Sequence, residues 1–543
     1  MERDTGPAGR LDRAAPWLVA GAAFVMYVRT LLPSVAFGDW GEMQTVPHVL
    51  GIAHPTGYPT YVILAWLAEL APIGSLAFRA NLLSAVFVAG ALATFTLICL
   101  RLGVRPVLAV AAGLVLGVVG TVWAAATVAE VNPLHLLFAA LILHRALVWE
   151  DRRSPSDLAL GGLLISLSIG NHLLTLFVAP FVVLHVLWVG RREIRARPWI
   201  LALPVTGAVV GLLVYLYIPI AASLSPPLGY NHPVTLAGFL FLVTGEQFRG
   251  QFDFLSPVGP AEFVRYLPNL WAVLVSRGTA VVPVLGVAGL LALVVRRPAF
   301  GLLCSAVLLT GLYIWANYLR LEHYLLVPWM LLAIGVAVAL ETVARVLNGV
   351  LARGVGRVGG GVVASAAFGL VLVVGALNWT ASDRSRDRSA SDYADAVFSA
   401  LPHNAAILVW WDAASPLWYG RYVEGRRPDV LIVDDTNIVY EGWGTRETRI
   451  AALICQRPVY IIRPEAVDLI PTAERYQLDP ILTVPVALGT PTAGETRQIY
   501  RVRPLDPKAC GGQASGGPGP TPARRAARRV TTPATDSTAR PTG

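Results

Sequence analysis

PVLAVAAGLVLGVVGTVWAAATVAEVNPLHLLFAALILHRALVWEDRR, residues 106–153, decides the fold. It holds two apolar runs of about 20 residues each, the helix length that crosses a hydrocarbon core of roughly 30 Å. Arg101 and Arg105 precede the first run and Arg152 and Arg153 follow the second, whereas Glu130 and Asn132 lie at the turn between them. Short loops rich in arginine stay in the cytoplasm. The stretch therefore reads as a transmembrane hairpin with its arginines inside and its acid and amide at the outer surface.

The rest of the chain extends this pattern. Of 543 residues, 55% are hydrophobic and 14% charged, a balance that excludes an ordinary soluble protein. The apolar blocks are of helix length, and alternating strands of a membrane barrel are absent. Spans are expected near 16–33, 79–100, 106–127, 131–149, 157–171, 173–190, 198–220, 278–295, 299–318, 323–344 and 360–379, about eleven in all. With the N-terminus (1–15) inside, Arg191–Arg197, Arg296/Arg297 and Arg345/Arg353/Arg357 also fall in the cytoplasm. The net charge of +9 follows from these clusters and from the tail, so it marks topology and not a nucleic-acid partner.

The expected architecture is an all-α polytopic membrane bundle over 16–379, with a first outer loop at 34–78 and another at 221–277. Tyr58–Pro72 is too short to span and reads as an interfacial helix. From 380 to 509 the composition turns soluble. AAILVWWD (405–412), DVLIVDD (429–435) and RPVYIIR (457–463) are β-rich runs of a small non-cytoplasmic α/β domain. The basic Gly/Pro-rich tail, 510–543, is expected to be disordered. Cys99 and Cys304 fall in apolar blocks as core filler, while the spacing of Cys455 and Cys510 allows a pair without requiring one.

On this topology the polar residues of the bundle collect at the outer end: Asp39, Glu42, His48, His54, Glu130, Asn132, Asn171, His172, Glu322 and His323. The densest run is FGDWGEMQTVPHVLGIAHPTGYP, 37–59. Asp39 and Glu42 are three apart, so one helical turn sets both carboxylates on one face. A carboxylate beside low-dielectric surroundings acquires a raised pKa, which suits a general base facing a hydroxyl. Against this stands a plain reading in which Asp39 caps a helix and Glu42 is solvated. Arg29, Arg79 and Arg320, at outer helix ends, are of the type that neutralises a phosphate, or that simply snorkels. Gly354-Val-Gly356-Arg-Val-Gly359 follows no strand and is rejected as a nucleotide loop. Asn378-Trp379-Thr380 is only a formal sequon. Asp412, Asp434 and Asp435 follow β-like runs as candidate ligand contacts.

Asp39-Trp-Gly-Glu42, then Gly51-Ile-Ala-His54-Pro-Thr-Gly-Tyr58-Pro59 and Arg79-Ala-Asn81-Leu-Leu-Ser84, resembles the opening of the family once called domain of unknown function 2723. Its eukaryotic members are protein O-mannosyltransferases. Ala129-Glu130-Val131, Gly170-Asn171-His172, Tyr215-Leu-Tyr217-Ile-Pro219, Glu322-His-Tyr324 and Arg427-Pro428-Asp429-Val430 extend the resemblance through the chain. It implies a GT-C fold, a polyprenyl-phosphate sugar donor, a protein or glycolipid hydroxyl as acceptor, and Asp39 as the catalytic carboxylate with Glu42 beside it. His54, Tyr58, Arg79, Asn81, Glu130, Asn171, His172, Arg320, Glu322 and His323 are then expected to bind donor or acceptor. The pattern makes no cofactor certain; a divalent cation bridging Asp39 and phosphate is compatible with it, although no dedicated ligand cluster stands out in the sequence. Asn132 stands where the family pattern has Tyr, and Glu322 where it has Asp, which bears on the sugar and acceptor more than on the reaction. A transporter or flippase is the rival; it would place ionisable residues at mid-membrane. A sensor would need a cytoplasmic output domain.

Overall fold

The computed structural model describes residues 7–231, 233–251, 259–318, 320–351, 359–435, 444–463, 466–486 and 496–510. Most of the rejected glycine loop and the tail beyond Cys510 lie outside the described residues. The helices run α1 (Pro7–Arg29), α2 (Gly38–Thr45), α3 (Pro59–Glu69), α4 (Leu76–Arg101), α5 (Pro106–Val118), α6 (Gly120–Ala126), α7 (Val131–Arg152), α8 (Pro155–Ile169) and α9 (Thr175–Val189). After these come α10 (Arg191–Ala196), α11 (Ala202–Leu212), α12 (Tyr217–Ser223), α13 (Leu236–Val243), α14 (Gly259–Gly278), α15 (Val281–Arg296), α16 (Pro298–Asn317), α17 (Leu326–Leu351) and α18 (Gly359–Ser382). Pro106, Pro155 and Pro298 occupy first helical turns, where a missing N–H leaves no bond unmade.

Seven helices among the described residues are long and apolar enough to cross a membrane: α1 from Leu11, α4, α7, the Pro198–Ser223 run, α16, Glu322–Val350 and α18. Two more qualify as bent pairs, α5 with α6 at 72° and α14 with α15 at 106°. Each of the eleven expected spans is helical, but α8 and α9, at 15 residues each, fall short of a full crossing. Seven to nine is therefore the count that length supports. The break in α5–α6 has a physical cause. Val118 loses its helical partner, and Asn378 of α18 reaches across to Val118 O at 3.4 Å while donating to Arg277 O at 2.9 Å. Asn378 is buried inside a helix, so the sequon is not an acceptor site. The expected loop at 221–277 is largely helical, through α13 and α14.

The arginine clusters meet at one end of the bundle. Arg101 and Arg297 both reach Asp151 at 2.9 Å, Arg105 and Arg345 share Glu341 at 3.0 and 2.7 Å, and Arg153 approaches Glu193 at 3.7 Å. Helices approach closely where they carry glycine: a Cβ on Gly289 or Gly335 would run into the facing backbone of α17 or α15.

The C-terminal part is a five-stranded sheet of β1 (Ala406–Val409), β2 (Leu431–Asp434), β3 (Val459–Ile462), β4 (Tyr476–Pro485) and β5 (Thr496–Pro504), in the order β2-β1-β3-β5-β4. β1 pairs in parallel with β2 and β3, while β5 is antiparallel to β3 and β4. The three β-rich runs are β1 to β3. Residues alternate as strand geometry requires. Ile407, Val409, Tyr460 and Ile462 face α19 (Ser389–Ala400), α20 (Trp411–Trp418) and the Val35–Phe37 segment, whereas Leu408, Val433 and Ile461 face α21 (Arg446–Leu453). α22 (Ile470–Ala473) follows β3. Cys455 and Cys510 form a disulfide.

Candidate active site

α2 carries the site, and three neighbours fix it. Gly38 opens it with φ +62°, a conformation that favours glycine, and a Cβ there would touch the Trp411 ring of α20 at 3.2 Å. One turn on, a Cβ on Gly41 would lie 2.8 Å from Ser415 Oγ and still closer to Ala36 O. Gln44 accepts from Ala36 N at 2.8 Å and donates to Asn81 Oδ1 at 2.7 Å. α20 of the C-terminal domain thus seats the helix from one side and α4 from the other.

Neither element of the plain reading holds. Phe37, not Asp39, takes the cap position, and Glu42 is 1% exposed. Glu42 Oε1 accepts from the His54 backbone N–H at 2.7 Å, and Oε2 pairs with His54 Nδ1 at 2.7 Å. The same Nδ1 lies 3.4 Å from Asp39 Oδ1. On the far side of the ring, Nε2 meets Tyr58 Oη at 2.9 Å, and Tyr58 Oη is 3.2 Å from Pro55 O. The His54 loop is itself clamped from residues 217–230: Tyr217 donates to Gly51 O at 2.7 Å, and Ile52 pairs with Leu228 and Tyr230 through backbone bonds of 3.0 and 3.1 Å.

Asp39 is walled in by protein, yet 48% of its side chain remains open, the combination a base needs in order to meet a substrate. Burial pushes its carboxyl up, opposed by the positive charges of His54 and His323 and aided by Glu42. Burial works to lower His54 as well, but the Glu42 and Asp39 carboxylates and the Glu42 hydrogen bond outweigh it and raise it to about 9. From Asp39 a row of rings leads inward: His54 to Tyr58 at 5.0 Å, Tyr58 to His172 at 6.0 Å, His172 to Tyr324 at 6.0 Å and Tyr324 to His323 at 4.7 Å between centroids. His172 Nδ1 accepts from Leu174 N at 3.1 Å, and burial keeps this ring neutral. Glu130 ends the row, 3.2 Å from His323 Nδ1 and 2.7 Å from Asn132 Nδ2.

Asp39, Glu42, His54, Tyr58, Glu130, His172 and His323 are therefore brought together. Other expected binders are not. Asn81 is fully buried, with its amide engaged by Gln44, Leu32 O and Ala129 N, so it ties the loop to the bundle and faces no opening. Asn171 is likewise buried and donates to Val131 O at 3.0 Å. Arg79 closes the α3–α4 turn on the carbonyls of Ile73, Glu69 and Gly74. Glu322 forms a two-point pair with Arg277 at 2.7 and 2.8 Å. Arg320 lies over the Tyr266 ring at 4.2 Å, and Arg29 reaches Ser385 at 3.2 Å. In the C-terminal domain, Asp412 of α20 is paired with Arg497 by two 2.8 Å bonds, and Asp435, just past β2, with Arg446 and Arg463 at 2.9 Å, so both carboxylates are engaged by arginines.

Three neighbours escaped the sequence reading. His135 lies 5.8 Å from the His172 ring, Tyr324 joins the ring row, and Arg384 stacks over Trp40 at 4.6 Å with the charge of Glu130 acting on it. His135 is four residues beyond the first residue of α7, a periodicity signal that could have placed it on the Glu130 side. His135, His323 and Tyr324 also head an apolar groove between α9, α16 and α17, lined by Leu174, Phe177, Val307, Ile314 and Val327.

Asp39, Glu42 and His54 bring one donor atom each within 4.8 Å of one another, a set whose chemistry suits a divalent cation. Their arrangement does not fit one. Glu42 is 1% exposed and its oxygens and both His54 ring nitrogens already have partners, so a cation would have to displace the Glu42–His54 pair, and Asp39 is the one carboxylate of the three residues that opens to solvent.

Residues 39–195 match the family model of the protein O-mannosyl-transferase TMEM260 N-terminal domain. The chain is 27% identical to mouse (Mus musculus) protein O-mannosyl-transferase TMEM260 over 469 residues, 79% of this chain and 65% of that protein, so it spans somewhat less than two thirds of the relative. A stretch of 43 residues is 44% identical to the tmem260 protein of Dictyostelium discoideum, 8% of this chain and 5% of that one. Among solved structures, ArnT from Cupriavidus metallidurans bound to undecaprenyl phosphate superposes with a TM-score of 0.51 at 14% identity, covering 89% of this chain and 97% of that one. Archaeal oligosaccharyltransferase AglB from Archaeoglobus fulgidus, in complex with an inhibitory peptide and a dolichol-phosphate, gives 0.53 at 13% identity over 82% and 69%. The chain is an integral membrane protein with the GT-C-like fold of these neighbours.

Proposed function

We propose that this protein is a membrane glycosyltransferase of GT-C type that moves a sugar, mannose in the first instance, from a polyprenyl-phosphate donor to a protein or glycolipid hydroxyl on the non-cytoplasmic face. One observation carries the reading: the half-open Asp39 carboxylate shares His323 and Tyr324 with an apolar groove between membrane helices. A donor with a lipid chain in that groove would present its phosphate and anomeric carbon at the ring row, in reach of a base. Likeness to a protein O-mannosyl-transferase and to structures holding undecaprenyl and dolichol phosphates supports the same substrate class.

In this mechanism Asp39 takes the proton of the acceptor hydroxyl as its oxygen attacks the anomeric carbon from the face opposite the phosphate. The new glycosidic bond forms while the carbon–phosphate oxygen bond breaks, the anomeric centre inverts, and the polyprenyl phosphate leaves with the electron pair. Arg384 beside Trp40 supplies positive charge on that side, with the His323 ring as a hydrogen-bonding neighbour, in place of the arginines expected from sequence. The Cys455–Cys510 disulfide, together with arginines gathered at the opposite end of the bundle, supports a non-cytoplasmic position for the sheet and the site. Eleven crossings, with α8 and α9 as short spans, complete that topology.

The test is transfer of radiolabelled mannose or glucose from polyprenyl-phosphate donors into membrane proteins and glycolipids by protein in lipid nanodiscs. Label with wild type, lost with Asp39→Asn, supports the reading and the labelled product identifies the acceptor; equal transfer by both removes Asp39 as base.

A further inference from the structure

Resting on the reading of Asp39 as base, we propose that His54 is the built-in cation of the site, locked between the two carboxylates by Glu42, so that Glu42 is a positioning residue and transfer proceeds without a divalent cation. The polarity of the hydrogen bonds carries the argument. Pro55 O can only accept, so the Tyr58 hydroxyl has an acceptor at 3.2 Å and is left to receive a proton from its other neighbour, His54 Nε2, at 2.9 Å. Nδ1 faces Glu42 Oε2 at 2.7 Å and Asp39 Oδ1 at 3.4 Å, which are acceptors when ionised. Every neighbour is satisfied when both ring nitrogens carry protons. A neutral ring would leave Tyr58 choosing between two acceptors.

Glu42 is built for this task and not for catalysis. It is 1% exposed, it grips His54 by backbone and ring together, and its burial keeps both oxygens from a substrate. Charge and burial around the ring agree. Asp39 and Glu42 face it from α2, Tyr58 from its own loop and Tyr230 from the 228–230 segment at 6.3 Å between centroids. His172, beyond Tyr58, is kept neutral by burial and adds no opposing charge, and His323 lies beyond Asp39. The two carboxylates prevail, and the ring stays protonated up to about 9. A fixed cation beside Asp39 keeps the base ionised and orients it, the service a bound metal would otherwise give.

The experiment uses the full chain in nanodiscs, with Glu42→Gln, His54→Gln and the charge-keeping His54→Arg. Metal content is measured by mass spectrometry after dialysis, thermal stability with and without EDTA, and sugar transfer against pH with and without EDTA, Mg²⁺, Mn²⁺ or Zn²⁺. Expected are substoichiometric metal, a melting temperature and rate indifferent to EDTA, and a fall in kcat/KM on the order of 10- to 100-fold in His54→Gln, the scale of losing an orienting neighbour. The alkaline limb near 9 should vanish in that variant and move toward neutrality in Glu42→Gln, with part of the rate restored in His54→Arg. One equivalent of bound metal that is lost in Glu42→Gln, or an EDTA-inhibited rate restored by a divalent cation, would overturn the proposal. Should wild type transfer no sugar from any donor, the proposed function fails, and metal content and EDTA-dependent melting still decide the His54 assignment.

Discussion

At the residue scale the account rests on a carboxylate that is enclosed but open on one side, next to a histidine whose ring is gripped from both ends. Asp39→Asn keeps the shape and removes the base, so kcat is expected to fall roughly 10²- to 10⁴-fold, the range for general-base loss, with donor affinity nearly unchanged; single-turnover transfer and donor binding measured separately check this. The pH profile follows from signs. As the proposed base Asp39 would act when ionised, and burial raises its pKa, so activity is expected to be lost on acidification earlier than an ordinary carboxylate would lose it. His54 acts when protonated, so activity declines again as pH passes about 9. A bell-shaped kcat/KM profile is the expected outcome; an acidic limb no higher than that of an ordinary carboxylate would contradict the Asp39 assignment, and no decline as pH rises through and beyond about 9 would contradict that of His54. Asp39, Glu42 and His54 were legible because helical spacing and a short Pro-rich loop bring them together locally. Arg79, Asn81 and Asn171 lie apart from this cluster, which the sequence could not show, because a polar residue at a helix end looks the same there whether it faces a site or ties down a turn. Arg384, more than 340 residues from Trp40, could be placed only by the fold.

At the element scale, α2 is held as a wedge between α20 and α4. Gly41→Val would drive a branched side chain into Ser415 and the Ala36 carbonyl, displacing Asp39 along with the helix. The variant is expected to lose transfer activity while the bundle stays folded, checked by activity beside thermal melting and size-exclusion profile. The α5–α6 bend was invisible in 106–127, a continuous apolar run with no proline inside, because its cause is an amide on another helix. Asn378→Leu leaves Val118 O and Arg277 O without that donor, and a loss of about 1–3 kcal/mol is expected for stranded buried carbonyls, seen as a lowered melting temperature. Strands β1 to β3 were legible as β-branched runs. β4 and β5, with mixed and exposed faces, carried no such signal.

At the scale of the whole molecule, the arginines did most of the work available to sequence. Their placement at alternate turns anticipated one basic end, and the ion pairs of Asp151 and Glu341 bring those clusters together there. What length and hydropathy alone did not separate was a full crossing from a shorter apolar helix, hence the gap between eleven expected spans and the seven to nine that qualify. The proposed orientation predicts that Cys455 and Cys510, oxidised in intact cells, become labelled by a membrane-impermeant maleimide after mild reduction from the non-cytoplasmic side; labelling only after the membrane is opened would reverse the topology. The central claim is that a lipid-borne sugar is transferred with Asp39 as base. Its most direct measurement is a single-turnover reaction in nanodiscs between purified protein and polyprenyl-phosphate mannose, following release of polyprenyl phosphate and the anomeric configuration of the product. Wild type is expected to release polyprenyl phosphate stoichiometrically with an inverted linkage and Asp39→Asn almost none; a retained linkage, or equal release by the two proteins, would overturn the proposed role of Asp39.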